Sequence, residues 1–193
     1  MPESVSGSSL PPLGSLSLVP ALERPDLLAE PVAKALAGWA DTDQGTQSGR
    51  IGVVEIDPDL SDTAATVEAY TIPIEACFNC VVVSGRREGI ERLAACVVRA
   101  DTRADVNGLV RKALDVRKAS FLPMERAVSE TGMEYGGITP IGLPADWRVL
   151  VDSRLTQAPA ALIGSGVRRS KLVLPGAVLA AAPWAEVISD LGR

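Results

Sequence analysis

The sequence predicts a mixed α+β fold in a single compact domain, and three observations carry that prediction. The chain has 193 residues, 47% hydrophobic and 22% charged. That is enough apolar material for one well-packed core and too little length for a second full-size domain. Short runs rich in β-branched residues alternate with helical periodicities at irregular spacings. Two of those runs, Cys77–Val83 and Leu93–Val98, are joined by the hairpin-like Ser84-Gly85-Arg86-Arg87-Glu88-Gly89. This suits a mixed sheet better than strict βαβ winding.

In chain order, residues 1–24 are rich in Ser, Pro, Gly and Leu without a sustained period and read as a flexible N-terminal arm. Residues 25–49 form a unit of helix and linker. Leu28, Val32, Ala35, Leu36 and Trp39 recur at helical spacing over Asp26–Trp39, with Pro31 tolerable only near the first turn, and Asp41–Gly49 is polar. Residues 50–193 form the main domain. Strands are expected at Ile51–Ile56, Cys77–Val83, Leu93–Val98, Val149–Val151, Leu162–Gly164 and Lys171–Leu174. Helices are expected at Ser61–Tyr70 with Ser61 as N-cap, and at Arg103–Leu114, where Thr102-Arg103-Ala104-Asp105 has the form of a capping box. Shorter helices fit Met124–Glu130 and Ala177–Ala181.

Composition excludes several kinds of chemistry. There is no histidine, which removes Ser-His-Asp and Cys-His nucleophile activation, the common histidine zinc sites and histidine as general base. The formal charge of −5 argues against sequence-independent binding of duplex DNA, which needs a dense positive surface. Residues 1–20 contain no Lys or Arg for a signal-peptide n-region, and no apolar run approaches the roughly 18 residues needed to span a bilayer. The chain is therefore expected to be cytoplasmic and without a membrane partner. Three cysteines, Cys77, Cys80 and Cys96, read as reduced. Cys77-Phe78-Asn79-Cys80 lies at the start of a strand with no second pair to complete a ligand set, so no metal site is expected.

Two glycine-rich segments stand out. In Gly132–Gly142, the pair Gly136-Gly137 precedes Ile138-Thr139-Pro140. Paired glycines let a backbone approach a ligand and leave N–H groups free of a ladder, so the segment is either a loop that grips a carbonyl or oxyanion or a tight turn between a helix and a strand. Gly164-Ser165-Gly166 stands beside Arg168, Arg169 and Lys171, either to meet the phosphates of a nucleotide end or as an exposed hairpin tip. The spacing of a Walker loop is absent. Asn79, an amide in a run of Val and Cys, is either a strand-end surface residue or a polar group aimed into a pocket.

From about Val53 to Leu191 these motifs, taken in order, resemble the YbaK/ProX family of aminoacyl-tRNA editing domains, which is related to the insertion domain of prolyl-tRNA synthetases. Glu55-Ile56-Asp57-Pro58 is similar to the family's first strand and following turn, Gly136-Gly137-Ile138-Thr139-Pro140-Ile141-Gly142 to its glycine signature, and Gly164-Ser165-Gly166 to its small-residue turn. The resemblance implies a mainly antiparallel sheet curved into a partial barrel with flanking helices. It also implies a trans-editing hydrolase that cleaves the ester of a mischarged aminoacyl-tRNA, with the acceptor end of charged tRNA as partner and no cofactor. Gly136 and Gly137 would supply backbone donors to the ester. Asn79, Ile138, Thr139, Pro140, Gly164, Ser165, Gly166 and Lys171 would bind substrate, and Val54, Thr63 and Phe78 would set pocket volume. The chain departs from the family at two places: Asn79 stands where members carry a substrate-contacting lysine, and Lys171 stands where an acidic residue is usual. Lys171 either supplies part of the missing charge from the neighbouring strand or points to solvent. The alternative to hydrolysis is a weakened module that binds an aminoacyl-nucleotide, a tRNA end or a protein partner without turnover.

Overall fold

The computed structural model describes residues 11–40 and 49–193. Residues 1–10 of the arm, and the linker apart from Gly49, lie outside the described residues. In chain order the strands are β1 (Val19–Pro20), β2 (Gly52–Glu55), β3 (Phe78–Arg87), β4 (Ile90–Arg99), β5 (Ala119–Phe121), β6 (Arg148–Asp152), β7 (Ala161–Gly164), β8 (Ser170–Leu174) and β9 (Ala185–Ile188). The α-helices are α1 (Glu30–Ala40), α2 (Thr63–Tyr70), α3 (Arg111–Ala113), α4 (Met124–Thr131) and α5 (Gly176–Ala180).

The strands form two sheets, one in the order β1-β2-β8-β7 and antiparallel throughout, the other in the order β5-β3-β4-β6-β9. In the second, β5, β3 and β4 are antiparallel, while β6 lies parallel to β4 and β9 parallel to β6. A parallel bridge from Cys77 to Leu162 joins the start of β3 to β7, so the sheets curve towards each other as a mainly antiparallel α+β domain without closing. No helix among the described residues is long and apolar enough to cross a membrane.

The central strand β4 is buried on both faces, with Ala94, Ala95, Cys96, Val97 and Val98 all almost inaccessible. Because side chains alternate along a strand, Val97 enters the main core with Leu36, Ile51, Val151 and Leu172. Ala94, Cys96 and Val98 face a second core closed by Val110, Leu114 and Leu150.

Several local expectations shift, each for an identifiable reason. The hairpin turn is shorter than Ser84–Gly89: the ladder continues to Arg87↔Ile90, and only Glu88 and Gly89 turn, at φ 54° and 80°. Two positive φ values give the primed turn whose twist matches its strands. Helix α1 starts at Glu30 rather than Asp26, because Pro31 has no N–H to continue a helix begun a turn earlier; Pro25–Leu27 is a 3₁₀ turn instead. The N-cap of α2 is Asp62, not Ser61, whose carbonyl is bound elsewhere. The segment expected as helix Arg103–Leu114 opens as a π turn over Val106–Val110 before α3. Its cap is the Asp105 carboxylate, which accepts from the N–H groups of Gly108 and Leu109, whereas the Thr102 hydroxyl donates to Arg99 O and forms no capping box.

The described part of the arm is docked. Leu13 is buried, Ser15 N–H donates to Tyr70 O, and Val19 pairs with Val53. Helix α1 is integral to the main core through Val32 and Leu36. Leu36→Ala is expected to cost about 2–5 kcal/mol, since it leaves a cavity that the two sheets cannot collapse to fill. Urea unfolding would show a lower midpoint at unchanged slope.

Candidate functional site

A cavity of about 450 Å³ opens where the two sheets diverge. Its walls come from β3, from the first turn of α2, from the glycine loop and from the ends of β7 and β8. The interior is apolar, with Phe78, Val82, Ile138 and Ile163, and its polar side chains are few: Asp62, Thr63, Thr66, Asn79 and Lys171, with Tyr135 on the exposed wall. A mostly apolar concavity with a few convergent polar groups is the usual form of a small-molecule site.

Asn79 and Lys171 arrive from different sheets and face this one cavity. The Asn79 side-chain oxygen accepts from the Thr63 hydroxyl at 3.1 Å, which leaves its amide protons for a ligand. Lys171 is 8% exposed and donates to Ser61 O at 2.8 Å. No carboxylate forms an ion pair with it among the described residues. Burial, and then the nearby Arg168 guanidinium, lower its pKa below the ordinary 10.5, while Cys77 and Asp62 act in the opposite sense. One of its three protons is committed to Ser61, so two remain available to an oxygen in the cavity.

Gly136, Ile138 and Gly164 line the cavity with them. Gly137 does not: its N–H closes the turn onto Glu134 O at 2.9 Å and its carbonyl accepts from Gly166 N–H at 2.8 Å. The Gly136 and Ile138 N–H groups donate to nothing among the described residues, so they, rather than the Gly137 N–H, are the free backbone donors of the loop. Thr139 and Pro140 are buried and line no part of the cavity. The Thr139 hydroxyl has no partner among the described residues, and its N–H reaches the Met133 sulfur at 3.5 Å. Ser165 is also inside, bonded to Ser170 Oγ at 2.7 Å and to Ser170 O at 3.0 Å. Gly166 packs against Ala29, too close for any side chain. The second glycine motif therefore lies behind the wall, except for Gly164. Of the positions expected to set pocket volume, Thr63 and Phe78 line the cavity and Val54 does not.

The sequence missed Asp62, Phe121, Met124 and Tyr135 as lining residues. The apolar exposure of the last three is visible only once the chain is folded. The cysteines are separated among the clusters. Cys77 and Cys80 touch the cavity and Cys96 sits in the second core. Burial raises all three thiol pKa values, to about 11 for Cys77 and about 12 for Cys96, so none presents a thiolate near neutral pH.

The glycine loop is held by backbone contact. A Cβ on Gly164 would stand 2.3 Å from Gly137 O and 2.7 Å from Ile138 O, and one on Gly137 would meet the Val167 backbone at 2.8 Å.

Comparison with known proteins bears on this arrangement. The family model of the aminoacyl-tRNA editing domain matches residues 57–182. Among solved structures, a "putative trans-editing enzyme for prolyl tRNA synthetase" superposes with a TM-score of 0.67 at 21% identity, covering 85% of this chain and 98% of its own. A scaffold used for epitope backbone grafting gives 0.70 at 19% identity, with 86% and 97% covered. A protein described only as hypothetical gives 0.69 at 17% identity, with 82% and 99% covered. At these identities the likeness establishes the fold. No curated protein matches the sequence.

Because the obstructing atoms around Gly164 are backbone, Gly164→Ala is expected to push the loop off β7, costing on the order of 1–3 kcal/mol. A lowered unfolding temperature, with the hydrogen-bonded Gly137 and Gly166 amides exchanging faster than in the wild type, would report it.

Proposed function

Since the chain belongs to the aminoacyl-tRNA editing domain family, we propose that it is a trans-editing hydrolase that cleaves the ester of a mischarged aminoacyl-tRNA. The observation that carries this reading is that one cavity is lined by Lys171, a buried ammonium held by Ser61 O and in no salt bridge among the described residues, and by Gly136 and Ile138, whose N–H groups donate to nothing among them. Donors arranged in this way suit charge that develops on a carbonyl oxygen.

In the proposed reaction the acyl group lies against Phe78, Val82 and Ile163, and its carbonyl oxygen meets Lys171 Nζ and the Gly136 and Ile138 N–H groups. Water adds to the carbonyl carbon and passes a proton to bulk water, which returns one to the leaving oxygen in the next step, and the negative charge passes to the carbonyl oxygen. When the tetrahedral intermediate collapses, the bond to the ribose oxygen breaks and that oxygen takes a proton, releasing free amino acid and tRNA. An aminoacyl ester is already activated, so positioning and charge stabilisation serve without a strong general base. This fits a chain that has no histidine. Asn79 holds the substrate as a neutral hydrogen-bonding group. The acceptor end of charged tRNA is the partner in this reading, and the work belongs to the cytoplasm, where translation proceeds.

A panel of correctly and incorrectly charged tRNAs tests the proposal. Faster ester loss is expected for at least one mischarged species, and no acceleration across the panel would remove the hydrolase reading. Tight binding of a charged tRNA without turnover would leave the binding module in its place.

Lys171→Met is expected to lower kcat by about 100-fold, the scale of losing one oxyanion donor. The pH profile adds an independent readout. Because the folded ammonium titrates below 10.5, the rate above uncatalysed hydrolysis should fall as pH rises through that lowered value. Lys171→Met should lack this alkaline limb.

A further inference from the structure

Phe121, Met124 and Tyr135 are 61%, 54% and 59% exposed, and all three line the cavity. A single exposed apolar side chain requires no explanation. These three come from separate elements, the edge strand β5, the start of α4 and the glycine loop, and converge on one opening. The other large apolar side chains exposed among the described residues, Val19, Leu22, Ile90 and Val187, line no part of the cavity.

Burial of an acyl side chain is already provided deeper in the cavity by Phe78, Val82 and Ile163. The rim must therefore meet something that continues outward from the bound group and has a flat apolar face. A cation adjoins it. The Arg168 guanidinium stands 2.9 Å from where a Cβ on Gly136 would lie, next in sequence to Tyr135. It is anchored to Pro58 O at 3.1 Å and forms no ion pair among the described residues. An aromatic surface beside a cation held by a carbonyl is how single-stranded nucleic acid is gripped: bases stack on the rings and phosphates meet the charge.

We infer that Phe121, Met124 and Tyr135 form a stacking rim for the unpaired nucleotides that precede the terminal adenosine of the substrate RNA, with Arg168 on their phosphates. The inference rests on the tRNA-substrate reading above and adds to it a subsite on the exposed part of the cavity wall, apart from the groups that meet the ester. Its consequence is that much of the affinity comes from nucleotides that take no part in the chemistry.

The test compares two non-hydrolysable ligands: an RNA hairpin whose single-stranded 3′ end carries an amide-linked amino acid, and the amide-linked aminoacyl-adenosine alone. Fluorescence anisotropy of labelled hairpin, with competition by the adenosine ligand, gives the ratio of affinities. The wild-type protein is expected to favour the hairpin by about tenfold to a hundredfold, the scale of one or two stacked bases. The Phe121→Ala/Tyr135→Ala variant should reduce that ratio towards one, whereas Phe121→Tyr/Tyr135→Phe, which keeps the rings, should restore it. In Arg168→Gln the slope of log affinity against log salt should fall by about 0.7, the value for one single-strand phosphate. A hairpin preference that survives in the double alanine variant overturns the rim. Failure of both ligands to bind the wild-type protein instead removes the substrate reading on which the rim depends.

Discussion

Close backbone contact between the glycine loop and the end of β7 is the constraint on which the site depends. Gly164 lies so near the carbonyls of Gly137 and Ile138 that no side chain fits between them. The same contact carries a hydrogen bond from Gly166 N–H to Gly137 O. It joins the antiparallel sheet to a loop that follows α4, and so sets the width of the cavity between them. It also explains why only part of each glycine motif faces the cavity. Gly137 and Gly166 are occupied with each other, while Gly136, Ile138 and Gly164 remain at the surface of the site.

The start of α1 braces this contact from behind. Ala29 N–H donates to Ser165 O, Ser170 Oγ donates to Leu27 O, and Gly142 lies against the Pro31 carbonyl. A helix whose sequence shows only an apolar stripe is thus a support for both glycine turns, and its packing into the main core stiffens the site. Sites held by such packing keep donors aligned with less reorganisation than sites on free loops.

Electrostatically the cavity is unusual for its single buried cation. Holding an ammonium in a largely apolar wall, with Asp62 lining the same cavity but in no salt bridge to it among the described residues, costs stability, and a pKa lowered by burial expresses that cost. Such a group persists where a ligand's oxygen can use its protons, and stability is commonly given up at functional sites of this kind. Asn79, hydrogen-bonded to Thr63 on the neighbouring helix, completes the polar side of the cavity without adding charge.

The sequence by itself determined the α+β class, the core strands and the hairpin. Short, continuous apolar runs rich in β-branched residues can satisfy both their faces in few other ways. The absence of histidine and the two glycine motifs also narrowed the chemistry before any coordinates. Short strands such as β1, β5 and β9 were not legible, because two to four residues carry little pattern and their pairing is imposed by partners distant in sequence. Nor was the division of the glycine motifs into wall and surface, since Thr139 and Ser165 read as polar site residues until packing buries them. Only the tertiary structure decided that Lys171 and Asn79 share a cavity and that Phe121 and Tyr135, both exposed, line it too. Such juxtapositions depend on the register and curvature of two sheets, which no local spacing in a chain encodes.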